Sequence, residues 1–192
     1  MKKTFSLLFW VMIASFALGQ QGPERKGFVF GAAAGLTVGS LSGPGVESGV
    51  QAIPSFPNLK LGYMVGPKTA VCVFLPGVVY RFAGHDSLGT RARDRGFEGV
   101  VPGVQHWIGN RWWVMGGAGL GLEAPAFYDI QSEAERNFYV GVAALGGVGY
   151  EFWQKRRFAA DVQVRAHAGR IPMGAEVRTG AVLGVLVGVG WY

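Results

Sequence analysis

The chain has 192 residues, 49% of them hydrophobic and only 16% charged, with a formal net charge of +6. That excess is too mild to argue for nucleic acid as a partner, and the length suits one domain. Its one cysteine, Cys72, excludes an intramolecular disulfide, and 32 glycines argue against a mainly helical fold.

In chain order the first element is an export signal. Lys2 and Lys3 precede an apolar stretch from Phe5 to Phe16, and Ala17-Leu18-Gly19 forms a small-residue cleavage site before Gln20. The stretch is short for a membrane helix, which needs about 20 residues. A signal peptide helix over 1–19 is therefore expected, followed by a single domain over 20–192. No cysteine stands directly after the cleavage site, so a lipid anchor there is not expected. An exported chain also meets no nucleic acid.

Alternating runs between turn signals then predict eight strands. They span Gly27–Gly39, Asn58–Gly66, Thr69–Phe82, Arg95–Ile108, Arg111–Leu122, Arg136–Phe152, Arg157–Gly169 and Arg178–Trp191. The seventh is the clearest. Phe158, Ala160, Val162, Val164, Ala166 and Ala168 alternate with Ala159, Asp161, Gln163, Arg165 and His167. Only an extended strand sends alternate side chains to opposite faces, so one face is apolar and the other polar.

The same division recurs in the first strand, with Phe28, Phe30, Ala32, Ala34, Leu36 and Val38 on the apolar face. It recurs in the sixth, with Phe138, Val140, Val142, Ala144, Val148, Tyr150 and Phe152, and in the last, with Leu183, Val185, Val187, Val189 and Trp191. The opposite faces are rich in glycine. Bulk outside and small or polar groups inside suit a narrow barrel with lipid around it. Pro76-Gly77 and Pro102-Gly103 interrupt the third and fourth strands and read as bulges or bends.

Connections around Gly66-Pro67-Lys68, Gly109-Asn110 and Gln154-Lys155-Arg156 are tight, whereas Ser40–Phe56, Ala83–Asp94 and Glu123–Glu135 are long. The last connection, at Ile171-Pro172-Met173-Gly174, is intermediate. Trp107, Trp112, Trp113, Trp153 and Trp191 all fall at the short-turn ends. The opposite ends carry Tyr80, Phe82, Phe97, Phe127, Tyr128, Phe138 and Tyr139. Two aromatic bands at two membrane–water interfaces would explain that distribution. The fold class expected is all-β: an eight-stranded antiparallel up-and-down transmembrane β-barrel.

With its eight alternating strands, the run Gly147-Val148-Gly149-Tyr150-Glu151 before a basic turn, and the end Trp191-Tyr192, the whole mature chain resembles a known family. That family is the small eight-stranded outer-membrane barrels of Gram-negative bacteria, especially the porin-like Bacteroidetes type. The resemblance implies an outer-membrane location and insertion by the barrel-assembly machinery, which reads the last strand. One feature departs from the family pattern. The final aromatic there shares the outward face with the residues two, four and six before it, which here are Gly190, Gly188 and Leu186. The outward set runs one residue earlier, through Trp191.

The inward polar set is Lys60, Arg81, Gln105, Glu123, Glu151, Asp161, Gln163, Arg165, His167 and Arg178. Charges in a narrow interior must pair, because unpaired burial costs several kcal/mol per ion. An ionic plug is expected, with a structural or loop-mediated role for the protein. Two alternatives stand beside it. One is a narrow channel or carrier for small polar solutes; the other is an exported, soluble, lipocalin-like barrel with its apolar faces turned inward around a hydrophobic ligand.

Neither catalysis nor a cofactor is expected. His85, His106 and His167 have no serine and carboxylate placed as a triad requires, and no two of them share metal-ligand spacing. Arg91, Arg93 and Arg95 end the second long loop, where they could reach lipopolysaccharide phosphates. Lys155, Arg156 and Arg157 anchor the last tight turn at the interface. Expected partners are outer-membrane lipid and lipopolysaccharide, and the expected state is a monomer.

Overall fold

The computed structural model describes residues 24–43, 45–46, 50–86, 89–126 and 137–192, without the side chains of 50–51, 56–57 and 82–93. The signal peptide expected over 1–19 lies outside the described residues. The strands are β1 (Phe28–Ser42), β2 (Val50–Gly66), β3 (Thr69–Leu75), β4 (Gly77–Asp86), β5 (Gly89–Ile108), β6 (Trp112–Pro125), β7 (Tyr139–Lys155), β8 (Phe158–Met173) and β9 (Glu176–Trp191). All pairings are antiparallel between neighbours, and β1 closes on β9 from Phe30↔Trp191 to Ser42↔Thr179. β3 and β4 are two halves of one stave, so the closed ring has eight.

Pro76 makes the break between those halves. It has no N–H to give the ladder, yet its carbonyl accepts from Gly99 N at 2.9 Å and keeps the stave joined to β5. Beside the break, Ser55 Oγ donates to Gly77 O at 3.0 Å, tying β2 to β4 through a side chain. Pro102 behaves differently from expectation. The β5–β6 register is the same on both sides of it, Val100↔Leu120 and Gly103↔Gly117, so there is no bulge. The bulges lie elsewhere, at Ala33/Gly35, Met64/Gly66 and Glu151/Trp153.

Two loops read as long are largely strand. β2 starts at Val50 rather than Asn58, and β4 and β5 form a hairpin that turns between Asp86 and Gly89. Backbone pairing needs no apolar face, so polar sequence such as Arg91–Asp94 continues the ladder past the apolar belt. The turns at the other end are tight. Gly109 adopts a left-handed φ of 78° there, which glycine reaches without steric cost.

The outward faces are those expected. Leu36 is 71% exposed, and Val187 and Val189 are 60% exposed, as part of a continuous apolar belt around the barrel. Asp161, Gln163, Arg165 and His167 are buried inside. This is the inverse of a soluble ligand-binding barrel, and the lipocalin-like alternative is thereby corrected.

The interior is bulkier than expected. Trp107 and Trp113 point inward and are fully buried, so only Trp112, Trp153 and Trp191 remain for an outer aromatic band. Tyr80 and Phe97 are likewise inside rather than at an interface. The glycine rows make this packing fit. A Cβ on Gly149 would lie 2.2 Å from the Trp113 ring, and Cβ atoms on Gly169 or Gly180 would each come within 3.0 Å of Phe97. Glycines of β7–β9 thus leave the volume that aromatics of β5 and β6 fill.

Candidate functional site

Three polar layers stack along the interior, between apolar clusters built around Trp107, Trp113 and Phe74 near the tight turns and around Phe97, Ile171 and Tyr80 near the other end. The layer at the tight-turn end centres on Glu151, the last inward residue of β7 before its bulge. Its Oε1 accepts from Trp107 Nε1 and Tyr192 Oη, both at 2.6 Å. Its Oε2 accepts from Arg25 Nη2 at 2.7 Å and Gln154 Nε2 at 2.6 Å.

Arg25 comes from the segment before β1 and lies across the barrel mouth. Its guanidinium stacks 4.8 Å from the Trp107 centroid and 5.6 Å from that of Tyr192, and it donates to Asn110 O at 2.7 Å. A buried carboxylate with four donors, one of them a cation, has its desolvation offset. The mouth is closed by this cluster.

Glu123 on β6 does the same at the opposite end. Arg95 Nε reaches Oε1 at 3.0 Å and Arg178 Nε reaches Oε2 at 3.0 Å, while Tyr80 Oη donates to Oε1. Arg178 also lies over the Tyr80 ring at 5.4 Å. Between the two glutamates, Lys60 Nζ donates to Gln105 Oε1 at 2.9 Å and Gln163 Nε2 donates to Asp161 Oδ1 at 2.7 Å. Arg165 Nε donates to Gln163 Oε1, and the His167 ring rests on Phe97 at 5.1 Å between centroids.

The inward set expected from sequence is therefore found inside with one exception. Arg81 is exposed, opposite Asp94 in the β4–β5 hairpin. Alternation runs unbroken through Pro76, so Phe74, Val78 and Tyr80 hold the inner face and Arg81 must point outward. The arginine cluster needs the opposite correction. Arg95 is buried on Glu123 and is no surface ligand for phosphate. The backbones of Arg91 and Arg93 lie in the hairpin, and their side chains are outside the described residues.

Several members of the layers were not anticipated. Trp107 was legible, since it shares the odd-numbered face of β5 with Gln105. Tyr192 was legible too, because an outward Trp191 turns its neighbour inward. Arg25 precedes any strand, and no periodicity marks it.

No protein-family model matches the chain, and no curated protein does. Solved structures do match. Neisserial surface protein A aligns at a TM-score of 0.54 and 17% identity, over 85% of this chain and 96% of that one. The fold is that of a small outer-membrane β-barrel. OprG from Pseudomonas aeruginosa aligns at a TM-score of 0.48 and 14% identity, over 88% of this chain and 97% of that one. Ail, the attachment invasion locus protein of Yersinia pestis, aligns at 0.48 and 15%, over 85% and 99%. At these identities the likeness is one of fold.

Proposed function

We propose that the chain is an integral protein of a Gram-negative outer membrane, monomeric and without catalytic turnover, that acts through its exposed surface and loops. The observation carrying this reading is the closure of both ends of the interior, by Arg25–Glu151 at one and by Arg95–Glu123–Arg178 at the other. Eight strands leave an interior just wide enough for side chains, and here side chains close it at both ends. The Bacteroidetes-type affiliation and insertion by the barrel-assembly machinery belong to this proposal, carried by the resemblance in sequence pattern.

Membrane lipid would meet the apolar belt. Lipopolysaccharide phosphates would meet Arg81 and Arg170, both exposed on the outward face toward the β4–β5 hairpin end. Arg91 and Arg93 are retained as further candidates for that contact, through charge-assisted hydrogen bonds.

Two measurements test the proposal. The protein should stay with carbonate-washed outer membranes and shift its gel mobility on boiling, and recovery in the soluble fraction would refute the location. In planar bilayers it should show no discrete conductance steps. Steady openings would favour the second reading, a channel for small polar solutes.

A further inference from the structure

Among the described residues, the buried side-chain atoms without a hydrogen-bond partner include Gln105 Nε2, Trp113 Nε1, Arg165 Nη1 and both ring nitrogens of His167, and no oxygen is among them. Buried polar atoms are almost always satisfied, so this one-sidedness has chemical content. Gln105 Nε2, Trp113 Nε1 and Arg165 Nη1 can only donate, while a neutral His167 offers one N–H and one acceptor nitrogen. Water could accept from such groups, but each water brings two hydrogens that themselves need acceptors. The middle of this barrel is short of acceptors. An anion brings acceptor capacity with no hydrogens.

Charge points the same way. Between the two glutamate layers lie two buried cations, Lys60 and Arg165, and one acid, Asp161. Asp161 Oδ1 takes its bond from Gln163, and Arg165 is bonded to the neutral Gln163 amide rather than to a carboxylate. A guanidinium stays charged under all ordinary conditions. Its fully buried Nη1 is therefore a cationic donor waiting for a negative acceptor.

Strand pairing joins Gln105 and Arg165 through one row of the wall, which climbs along the barrel as the strands tilt. Gln105, Met115, Gly147, Arg165 and Gly184 form a continuous row around the wall, and Trp113 and Gly149 belong to the next inward row. Lys60 Nζ joins them, bonded to Gln105 and 5.4 Å from the Trp113 centroid. His167 is the next inward residue after Arg165 on β8.

We infer that this mid-barrel section binds a small monovalent inorganic anion of halide size, held on Arg165 Nη1. Trp113 and Lys60 line the same compartment. The glutamate layers on either side close it to lipid phosphates and to larger anions, so the ion enters during folding or when an end opens transiently. The site would exist whether or not the barrel conducts.

Bromide substitution tests this on the folded mature protein. Crystals grown with bromide in place of chloride should show one anomalous peak inside the barrel, within about 3.5 Å of Arg165 Nη1, a hydrogen-bond contact lengthened for the larger halide. An interior holding only water there, with no bromide peak, would overturn the assignment. In solution, the urea midpoint of the wild type should be higher in chloride than in gluconate at equal ionic strength, as linkage requires of a ligand that binds only the folded state. Arg165→Gln should lose that difference. An equal midpoint in both salts for the wild type, or a difference that Arg165→Gln leaves intact, would also refute the site.

Discussion

Replacing Glu151 with alanine should lower the stability of the folded barrel by about 3–5 kcal/mol, the usual cost of removing one partner from a buried ion pair. The effect is large because one carboxylate satisfies four donors from four parts of the chain: Arg25 before β1, Trp107 on β5, Gln154 on β7 and the terminal Tyr192. Its loss leaves the Arg25 guanidinium buried beside two aromatic rings with no counter-charge. Urea unfolding followed by tryptophan fluorescence measures the change. Glu151→Gln should fall between wild type and alanine, since an amide keeps one acceptor oxygen. A loss below about 1 kcal/mol for the alanine variant, the size of one ordinary hydrogen bond, would mean that Glu151 is not the centre of this closure.

A charge placed on the outer belt should be nearly as costly. Val187 lies on β9 between Ala34 and Val162, and is 60% exposed on the apolar face. If hydrocarbon covers that face, Val187→Arg should destabilise the barrel in lipid vesicles by roughly 2–4 kcal/mol, the cost near the bilayer midplane. The same substitution at Thr179, outward at the level of Arg170 and Ser42, should cost only about 0–1 kcal/mol, as expected near the interface. The contrast between the positions matters more than either value. Equal and small effects at both would indicate water rather than lipid around Val187.

The fold was largely legible because period-two alternation is a local property. In β8 the apolar and polar sets separate without exception from Ala160 to Ala168, and the β9 outward set followed from Leu183 to Trp191. The hidden parts depend on distant pairing. Arg81 and Arg95 exchanged the places expected of them, because charge was taken as a guide where alternation through Pro76 and Phe97 would have served. Polar composition disguised the β4–β5 hairpin as a loop, since ladder hydrogen bonds leave no mark in side-chain chemistry. Of the glutamate layers, the acids and Arg178 could be placed inside, but which donor meets which acid could not. Which strands face each other across the ring depends on closure, and Arg25 belongs to no strand.

The central claim is that hydrocarbon touches the outward residues of β8 and β9 while the ionic layers stay inside. A nitroxide at Val164, introduced in a Cys72→Ala background and reconstituted in bilayers, reports this directly through its collision partners. Oxygen dissolved in the acyl chains should relax it far more strongly than a water-soluble nickel chelate, and a label at Gln163 should be shielded from both. Dominant collisions with the nickel chelate at Val164 would contradict the account.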